Sequence, residues 1–248
     1  MNKFVWVLAS VFLVELNATC PSESHPEASS TAKPTSTIQY HIYEANGRIH
    51  LGRETVAIRR TEASWTIETT FVPDREAQQA DSGALWNGFL VTTEDWTPVR
   101  ASWSGSMGDL DAIQLRPPAS EPRSLELVTV NKSGTSFALP QVSHTDLFLP
   151  VEAPGTRAVI CRLAGDSVVV RHLFPGVEAT VGPRRPLDIT SPNGPLDGVT
   201  LIEAAPVAGT KPLEVICSGP NLVLSRQGHS WVVAEGYEAV ARRLGAEL

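Results

Sequence analysis

The chain has 248 residues, of which 42% are hydrophobic and 19% are charged, and its formal net charge is −7. Such a composition is typical of a globular protein with a sizeable core. It argues against nucleic acid as the main partner, because phosphate binding needs a concentrated basic surface. Three Arg-Arg pairs lie far apart in the sequence, and we interpret them as solvated surface charge; they are Arg59-Arg60, Arg184-Arg185 and Arg242-Arg243.

Residues 1–20 have the pattern of an export signal. A short positive start, Met1-Asn2-Lys3, precedes the apolar run Phe4–Val14. A run of this length is too short to span a bilayer as a mature helix, which takes about 20 residues.

Cys20 lies where a bacterial lipoprotein signal places its lipidated cysteine, although Asn17 and Thr19 depart from the usual lipobox. Residues 21–37 are rich in Ser, Pro and Thr and predict a disordered tether between the membrane and a single β domain at 38–248. We therefore predict a lipid-anchored protein of the bacterial envelope that faces the periplasm. The alternative is cleavage near Ala18, which yields a soluble periplasmic or secreted protein.

The β domain opens between Ile38 and Phe71, where apolar and polar residues alternate in three successive runs. Alternation with β-branched and aromatic residues predicts half-buried strands. Asn46-Gly47 separates the first two runs and predicts a tight type I′ hairpin, because both residues tolerate positive φ.

Further short strands are predicted along the chain, after a long polar connection at Pro73–Gly83 and around a proline-rich stretch at Pro183–Pro195. These strands are Ala84–Thr93, Trp96–Trp103, Asp111–Arg116, Ser124–Val130, Val177–Val181, Gly198–Ala205 and His229–Ala234.

Two further segments look alike, and each is predicted to form a strand, a tight turn and a second strand. One contains Val159-Ile160-Cys161 and the other Val215-Ile216-Cys217. In an exported chain Cys161 and Cys217 could form a disulfide. Two buried free thiols explain the sequence equally well, since the Cα separation that decides the question is not readable from it.

The C-terminal stretch Tyr237–Leu248 carries apolar residues at helical spacing and is the one helix predicted. Many short strands at regular spacing indicate an all-β fold. We therefore predict a large antiparallel curled sheet, an unclosed β-barrel or a sandwich, with one C-terminal helix.

Catalytic and metal-binding motifs are largely missing from the sequence. Ser104–Gly108 approaches the G-x-S-x-G pattern but begins with Ser. The histidines show no close metal-ligand spacing. His41 and His50 could face each other across the first hairpin, and we interpret them as solvated side chains. No metal and no cofactor are predicted. A hydrolase remains an alternative if Ser106 meets His144 or His229.

Aromatic and apolar side chains on the predicted strands have two interpretations. The favoured one is that they fill the core, because aromatic residues dominate protein cores. The other is that a curled sheet presents them on a concave face that holds an apolar ligand. The candidates for this face are Trp65, Ile67, Phe71, Trp86, Phe89 and Trp103.

A family resemblance rests on the opening pattern Tyr40, Tyr43, Asn46-Gly47, Ile49, Gly52-Arg53 and Trp65-Thr66-Ile67, on Leu173-Phe174-Pro175-Gly176 and on Trp231-Val232-Val233. The pattern resembles uncharacterised exported bacterial proteins whose long curled sheets are similar to the lipoprotein carriers LolA and LolB. The resemblance implies an unclosed barrel and binding of a lipid-like molecule, and it carries over no catalytic residue.

These observations favour a non-enzymatic envelope lipoprotein that is held on the membrane by a lipid anchor at Cys20 and binds an apolar small molecule. The first alternative is a structural or assembly component that contacts another envelope protein, for example through exposed strand edges. The hydrolase described above is the second alternative.

Overall fold

The computed structural model describes residues 36–74, 86–107, 110–118, 124–131, 133–134, 136–138, 147–150, 153–174, 177–189, 191, 194–204 and 211–248. The predicted export signal, Cys20 and most of the tether lie outside these residues, as does the predicted connection after Asp74. The first strand begins at Ser36, so Ser36 and Thr37, which we assigned to the tether, belong to the sheet.

Among the described residues, fifteen strands form the sheet: β1 Ser36–Glu44, β2 Ile49–Arg60, β3 Ser64–Pro73, β4 Trp86–Thr93, β5 Pro98–Met107, β6 Leu110–Arg116, β7 Glu126–Asn131, β8 Ser136–Ala138, β9 Val169–Leu173, β10 Val177–Val181, β11 Arg185–Leu187, β12 Leu196–Glu203, β13 Leu213–Ser218, β14 Asn221–Gln227 and β15 Ser230–Ala234. The same part of the chain contains two short helices, α1 at Ala158–Leu163 and α2 at Glu238–Arg243. Single 3₁₀ turns lie at Ala45–Gly47 and Pro154–Arg157.

The strands form one antiparallel sheet in the order β8-β7-β6-β5-β4-β3-β2-β1-β15-β14-β13-β12-β10-β9, and the short β11 also pairs with β12. The first strand pairs with the last one, with Tyr40 opposite Ala234. Within the described residues β8 and β9 do not pair with each other, so the sheet stays unclosed. The prediction of an all-β, unclosed antiparallel sheet is therefore confirmed.

The first hairpin is present, but its turn differs from the predicted two-residue type. Glu44 pairs with Ile49, so four residues connect the strands. Ala45, Asn46 and Gly47 have φ of 50°, 62° and 102°. The loop is longer because it contacts distant parts of the chain: the amide of Asn46 donates to the carbonyl of His229, and its side-chain Nδ2 donates to the carbonyl of Gly245.

Alternate side chains of the first five strands point to one face of the sheet, which we call the inner face. Tyr40, Val56, Ile67, Leu90 and Trp103 lie on it and are at most 1% exposed. The 3₁₀ turn at Pro154–Arg157 and α1 pack on this face against β2, β13 and β14, whereas α2 packs against β15. The core therefore lies between the inner face of the sheet and the two short elements at Pro154–Arg157 and Ala158–Leu163.

The helix α1 corrects one prediction. Val159-Ile160-Cys161 was predicted to be a strand, but it belongs to α1. Every residue from 153 to 161 is buried. A short apolar run buried on all sides lacks the periodicity that distinguishes a helix from a strand. The predicted C-terminal helix is confirmed, since α2 lies within Tyr237–Leu248, and α1 is a further helix that the sequence pattern did not predict.

Candidate functional site

Residues 153–164, here called the inner segment, are anchored to the sheet at Gly155. The amide of Gly155 donates a hydrogen bond of 2.7 Å to Oε2 of Glu54 on β2. A Cβ atom on Gly155 would lie 2.2 Å from Cγ2 of Val56, so only glycine allows the backbone to approach β2 this closely.

Glu54 is a carboxyl group in the middle of the core. Its side chain lies on the inner face and is fully buried. Its second oxygen, Oε1, has no hydrogen-bond partner among the described groups. Burial raises the pKa of Glu54 to about 8, although the Gly155 amide and the charge of Arg157 both act to lower it. Glu54 is therefore mostly protonated at pH 7.

Arg157 brings a positive charge into the same interior. Its side chain donates through Nη1 to Oγ of Ser225 on β14, at 3.1 Å, and the residue is 8% exposed. Within the described part of the chain, no carboxylate lies within ion-pair distance of its guanidinium. Burial lowers the pKa of Arg157 to about 10, so the group remains charged at neutral pH. Glu54 and Glu44 act on this buried charge electrostatically, but among the described residues neither forms an ion pair with it.

Arg157 faces a cavity of about 220 Å³. Most of the described wall is apolar, and the described residues that line it are Leu149, Arg157, Leu173, Leu201, Ile202, Glu203, Lys211, Pro212, Leu213 and Gln227. Lys211 is exposed whereas Arg157 and Leu213 are buried, so the cavity reaches from the surface to buried residues. Apolar walls with a few inward polar groups are typical of small-molecule sites.

The C-terminal half of the inner segment is fastened to the sheet by a disulfide. Cys161 on α1 and Cys217 on β13 are bonded, with their Cα atoms 5.6 Å apart. The sequence left open whether these two cysteines pair, and the structure joins them.

Arg184 fastens the same end of the segment by hydrogen bonds. It donates to the carbonyl oxygens of Cys161 and Ala164, the latter at 2.9 Å, and pairs with Asp197 at 3.3 Å. A cation at the C-terminus of a helix satisfies carbonyls that lack a partner within the helix. We had interpreted Arg184 as solvated surface charge; instead it caps α1.

The residues predicted to form an apolar ligand face are mostly brought together. Trp65, Ile67 and Phe71 alternate along β3, and Phe71 pairs with Trp86. Trp103 lies beside them on β5 and donates from Nε1 to Oγ1 of Thr69 at 2.9 Å. Ile67, Trp86 and Trp103 are at most 2% exposed. All five of the predicted residues named here share the inner face.

Phe89 is the exception, because it lies on the opposite face of β4, where the guanidinium of Arg100 sits 5.5 Å from its ring centroid. Its position next to Leu90 in a regular strand dictates this, since successive side chains point to opposite faces.

The chain itself covers the inner aromatic face. The ring of Phe148 lies 5.8 Å from that of Trp103. Arg162 of the inner segment lies over both Trp65 and Trp96, at 5.0 and 5.4 Å from the ring centroids. The two indoles stack at 4.8 Å. A ligand that reached this face would have to displace these side chains.

A neighbouring cavity of about 670 Å³ lies between the first hairpin loop and the C-terminus and shares Lys211 and Pro212 with the smaller one. Four of the charged groups in its lining form ion pairs, Arg48 with Glu247 and Arg226 with Glu214. Because these charges compensate one another, we regard the smaller cavity at Arg157 as the better ligand site.

His41 and His50 meet across the first hairpin, as their positions suggested. Nδ1 of His41 lies 3.1 Å from Nε2 of His50, and Nδ1 of His50 lies 2.5 Å from a carboxylate oxygen of Asp74. Burial, and secondarily the charge of His50, lower the pKa of His41. Within the part of the chain that the structure describes, no group of three potential metal ligands is found.

The residues named for a hydrolase cannot be compared in the structure, because His144 and the side chain of Ser106 lie outside its described part. Sequence reasoning missed Glu54, Arg157 and Arg184. A signal for Glu54 was present, since its spacing from Val56 and Ile58 places a carboxyl on the inner face of an alternating strand. No helix among the described residues is long and apolar enough to cross a membrane.

Comparisons with family models, curated proteins and solved structures return no match for this chain. The resemblance to the LolA and LolB carriers stays a prediction from the sequence.

Proposed function

We propose that the protein is a non-enzymatic, membrane-tethered component of the bacterial cell envelope whose curled sheet binds a lipid-like or other apolar molecule. The lipid anchor at Cys20 and the periplasm-facing location belong to the same proposal and rest on the sequence pattern of residues 1–37.

The observation that carries the proposal is the cavity beneath the inner segment. It is bounded by the buried leucines Leu201 and Leu213 and extends inward to Arg157. When a ligand binds in an apolar cavity, its apolar chain leaves water, and this transfer favours binding by about 0.8 kcal/mol per buried methylene.

Native mass spectrometry of the full chain, released from detergent micelles, tests the proposal directly. We expect a fraction of the protein to carry a non-covalent adduct that organic extraction recovers as an apolar molecule. The purified protein should also take up an apolar fluorescent probe such as N-phenyl-1-naphthylamine while remaining folded.

Two matched substitutions locate the bound molecule. Leu173→Trp places an indole at the cavity wall and should abolish the adduct and the probe signal. Val99→Trp adds the same side chain at an exposed position outside the cavity and should leave both unchanged. A chain that carries no adduct and takes up no probe would overturn the proposal.

A second candidate function is a contact within an envelope protein complex. It is favoured by β9, the last strand of the described sheet: Leu147 bonds to its outer edge only at His172 and Phe174, and nearby Val168, Val170 and Ile202 are 57%, 52% and 50% exposed. An exposed apolar edge can accept a strand from another chain. Val170→Lys should release a co-purifying envelope protein if this function holds, and a wild-type chain that purifies without any such protein would exclude it.

A further inference from the structure

Resting on the proposed function, we propose that the ligand is an anionic amphiphile, whose acidic head pairs with Arg157 at the buried end of the cavity and whose apolar chain lies along the leucine wall.

The charge of the ligand follows from the surroundings of Arg157. The guanidinium is buried, and its one hydrogen bond within the described structure goes to the hydroxyl of Ser225. A buried charge is costly unless it is paired, and a planar guanidinium binds a carboxylate or a phosphate through two parallel hydrogen bonds. Two carboxyls, Glu54 and Glu44, act on Arg157 electrostatically, yet among the described residues neither forms an ion pair with it, and Glu54 is mostly protonated at pH 7.

The acid that lines the cavity does not replace such a head group. Glu203 contributes to the wall, as does Lys211 with the opposite charge, and within the described residues no ion pair joins Glu203 to Arg157. Arg157 therefore offers the strongest point of attachment for an anion within the cavity.

The apolar part of the ligand follows from the wall. Leu149, Leu173, Leu201 and Leu213 line the cavity together with the buried Arg157 and the exposed Lys211. The cavity of about 220 Å³ has room for roughly seven water-sized groups at about 30 Å³ each. That volume suits an acidic head and the first few carbons of a chain whose remainder extends toward the surface.

Calorimetric titration of the full chain in phospholipid nanodiscs, with empty nanodiscs as the blank, tests this inference with three probes of equal chain length. Octanoate represents a fatty acid, octyl phosphate represents a phospholipid-like head, and 1-octanol is the uncharged control. We expect at least one anion to bind about tenfold or more tightly than octanol, because hydrogen bonds to charged groups are the strong ones. The tighter anion identifies the source of the head group.

Three substitutions assign the preference to a residue. Arg157→Met should remove the preference while retaining octanol binding, and Arg157→Lys should keep part of it. Lys211→Met removes the other cation of the lining and should change the preference less than threefold. Thermal unfolding monitored by circular dichroism checks that each variant is folded. If Arg157→Met does not fold, the role of Arg157 is judged from the anion preference of the wild-type protein and from its reduction in Arg157→Lys.

Each outcome separates this inference from the proposed function. Equal binding of octanol and both anions would overturn the anionic head but leave an apolar carrier. An anion preference that survives Arg157→Met, or disappears in Lys211→Met, would overturn the role of Arg157. A wild-type chain that binds none of the three probes would overturn both proposals.

Discussion

Glu54 and Gly155 are joined by a hydrogen bond of 2.7 Å although 101 residues separate them in the chain. The bond ties the inner segment to β2 and holds the buried carboxyl of Glu54 in place. Both partners are needed: a larger residue at 155 would collide with Val56, and an ionised carboxylate would be poorly solvated so deep in the core.

The stability of the protein should depend on pH through Glu54. The folded-state pKa is about 8, above its ordinary value of 4.5, so between these values the folded state holds a proton that the unfolded chain has lost. The contribution of Glu54 is therefore complete below pH 4.5 and is lost as the pH rises through 8, by about 1.4 kcal/mol for each unit crossed.

Glu54→Gln isolates this contribution, because it keeps the shape and the acceptor for Gly155 but cannot titrate. We expect urea unfolding at about pH 5 and about pH 8 to show a wild-type free energy of unfolding that falls more steeply than that of Glu54→Gln. Glu68→Gln, which alters an exposed carboxylate of β3, should reproduce the wild-type slope. Parallel slopes for wild type and Glu54→Gln would contradict a raised pKa.

Gly155→Ala should displace the start of the inner segment. The added methyl would meet Cγ2 of Val56 at 2.2 Å and Oε2 of Glu54 at 2.9 Å, so the backbone must move away from β2. We expect a loss of about 1–3 kcal/mol in the free energy of unfolding, the usual cost of overpacking a core. Gly165→Ala is the matched control, since no atom lies within 4 Å of the added Cβ. Equal stability of the two variants would argue against a tight contact at Gly155.

The sheet was predictable because its sequence signals are local. The alternation of β1, β2 and β3 requires only that apolar side chains meet on one face, and the strand pairs follow from short connections between neighbours. Ser36–Glu44 and Ser64–Pro73 therefore lie close to their predicted positions.

The inner segment was not predictable in the same way. Its residues are buried by contacts with β2, β13 and β14, which are remote in sequence, and an apolar run enclosed on all sides has no polar face to reveal a helix. Arg157 and Arg184 likewise gain their roles from tertiary neighbours, Ser225 for one and the carbonyls of α1 for the other. The two cysteines fitted either a disulfide or free thiols until their separation was known.

His50 and Glu238 should shift the pKa of His41 in opposite directions. Burial lowers the pKa of His41 first and the charge of His50 second, whereas Glu238 acts to raise it. His50→Gln should therefore raise the pKa of His41 toward its ordinary value, and Glu238→Gln should lower it further. Proton NMR titration of the His41 ring measures both shifts. Shifts of the same sign in the two variants would show that these neighbours do not set the pKa.

The same shift has a consequence for stability. Since the folded-state pKa of His41 lies below its ordinary value of 6.5, the unfolded chain binds a proton more readily. The contribution of His41 is thus present above pH 6.5 and lost as the pH falls. His41→Gln should flatten this acid limb of the stability curve, which urea unfolding measures.

Loss of the disulfide should destabilise the fold and loosen the inner segment together. Cys161 and Cys217 are 56 residues apart, and closing a loop of that length stabilises the folded state by up to about 4 kcal/mol in the chain-entropy model. The Cys161→Ala/Cys217→Ala double variant should therefore lose about 2–4 kcal/mol in the free energy of unfolding, measured with urea. Both cysteine side chains are fully buried, so part of this loss would come from the removed sulfur atoms.

Reduction of the wild-type protein provides the control, because it breaks the bond without removing either atom. If the covalent link is what holds α1 against β13, reduced wild type should lose most of the stability that the double variant loses, the remainder being due to the removed sulfur atoms. Both should also exchange the amide hydrogens of α1 faster than the oxidised protein, while those of β2 and β3 change little. Unchanged exchange in α1 after reduction would mean that Arg184 and the core contacts suffice to fasten the segment. The disulfide would then stabilise the fold without being needed to hold α1 in place against β13.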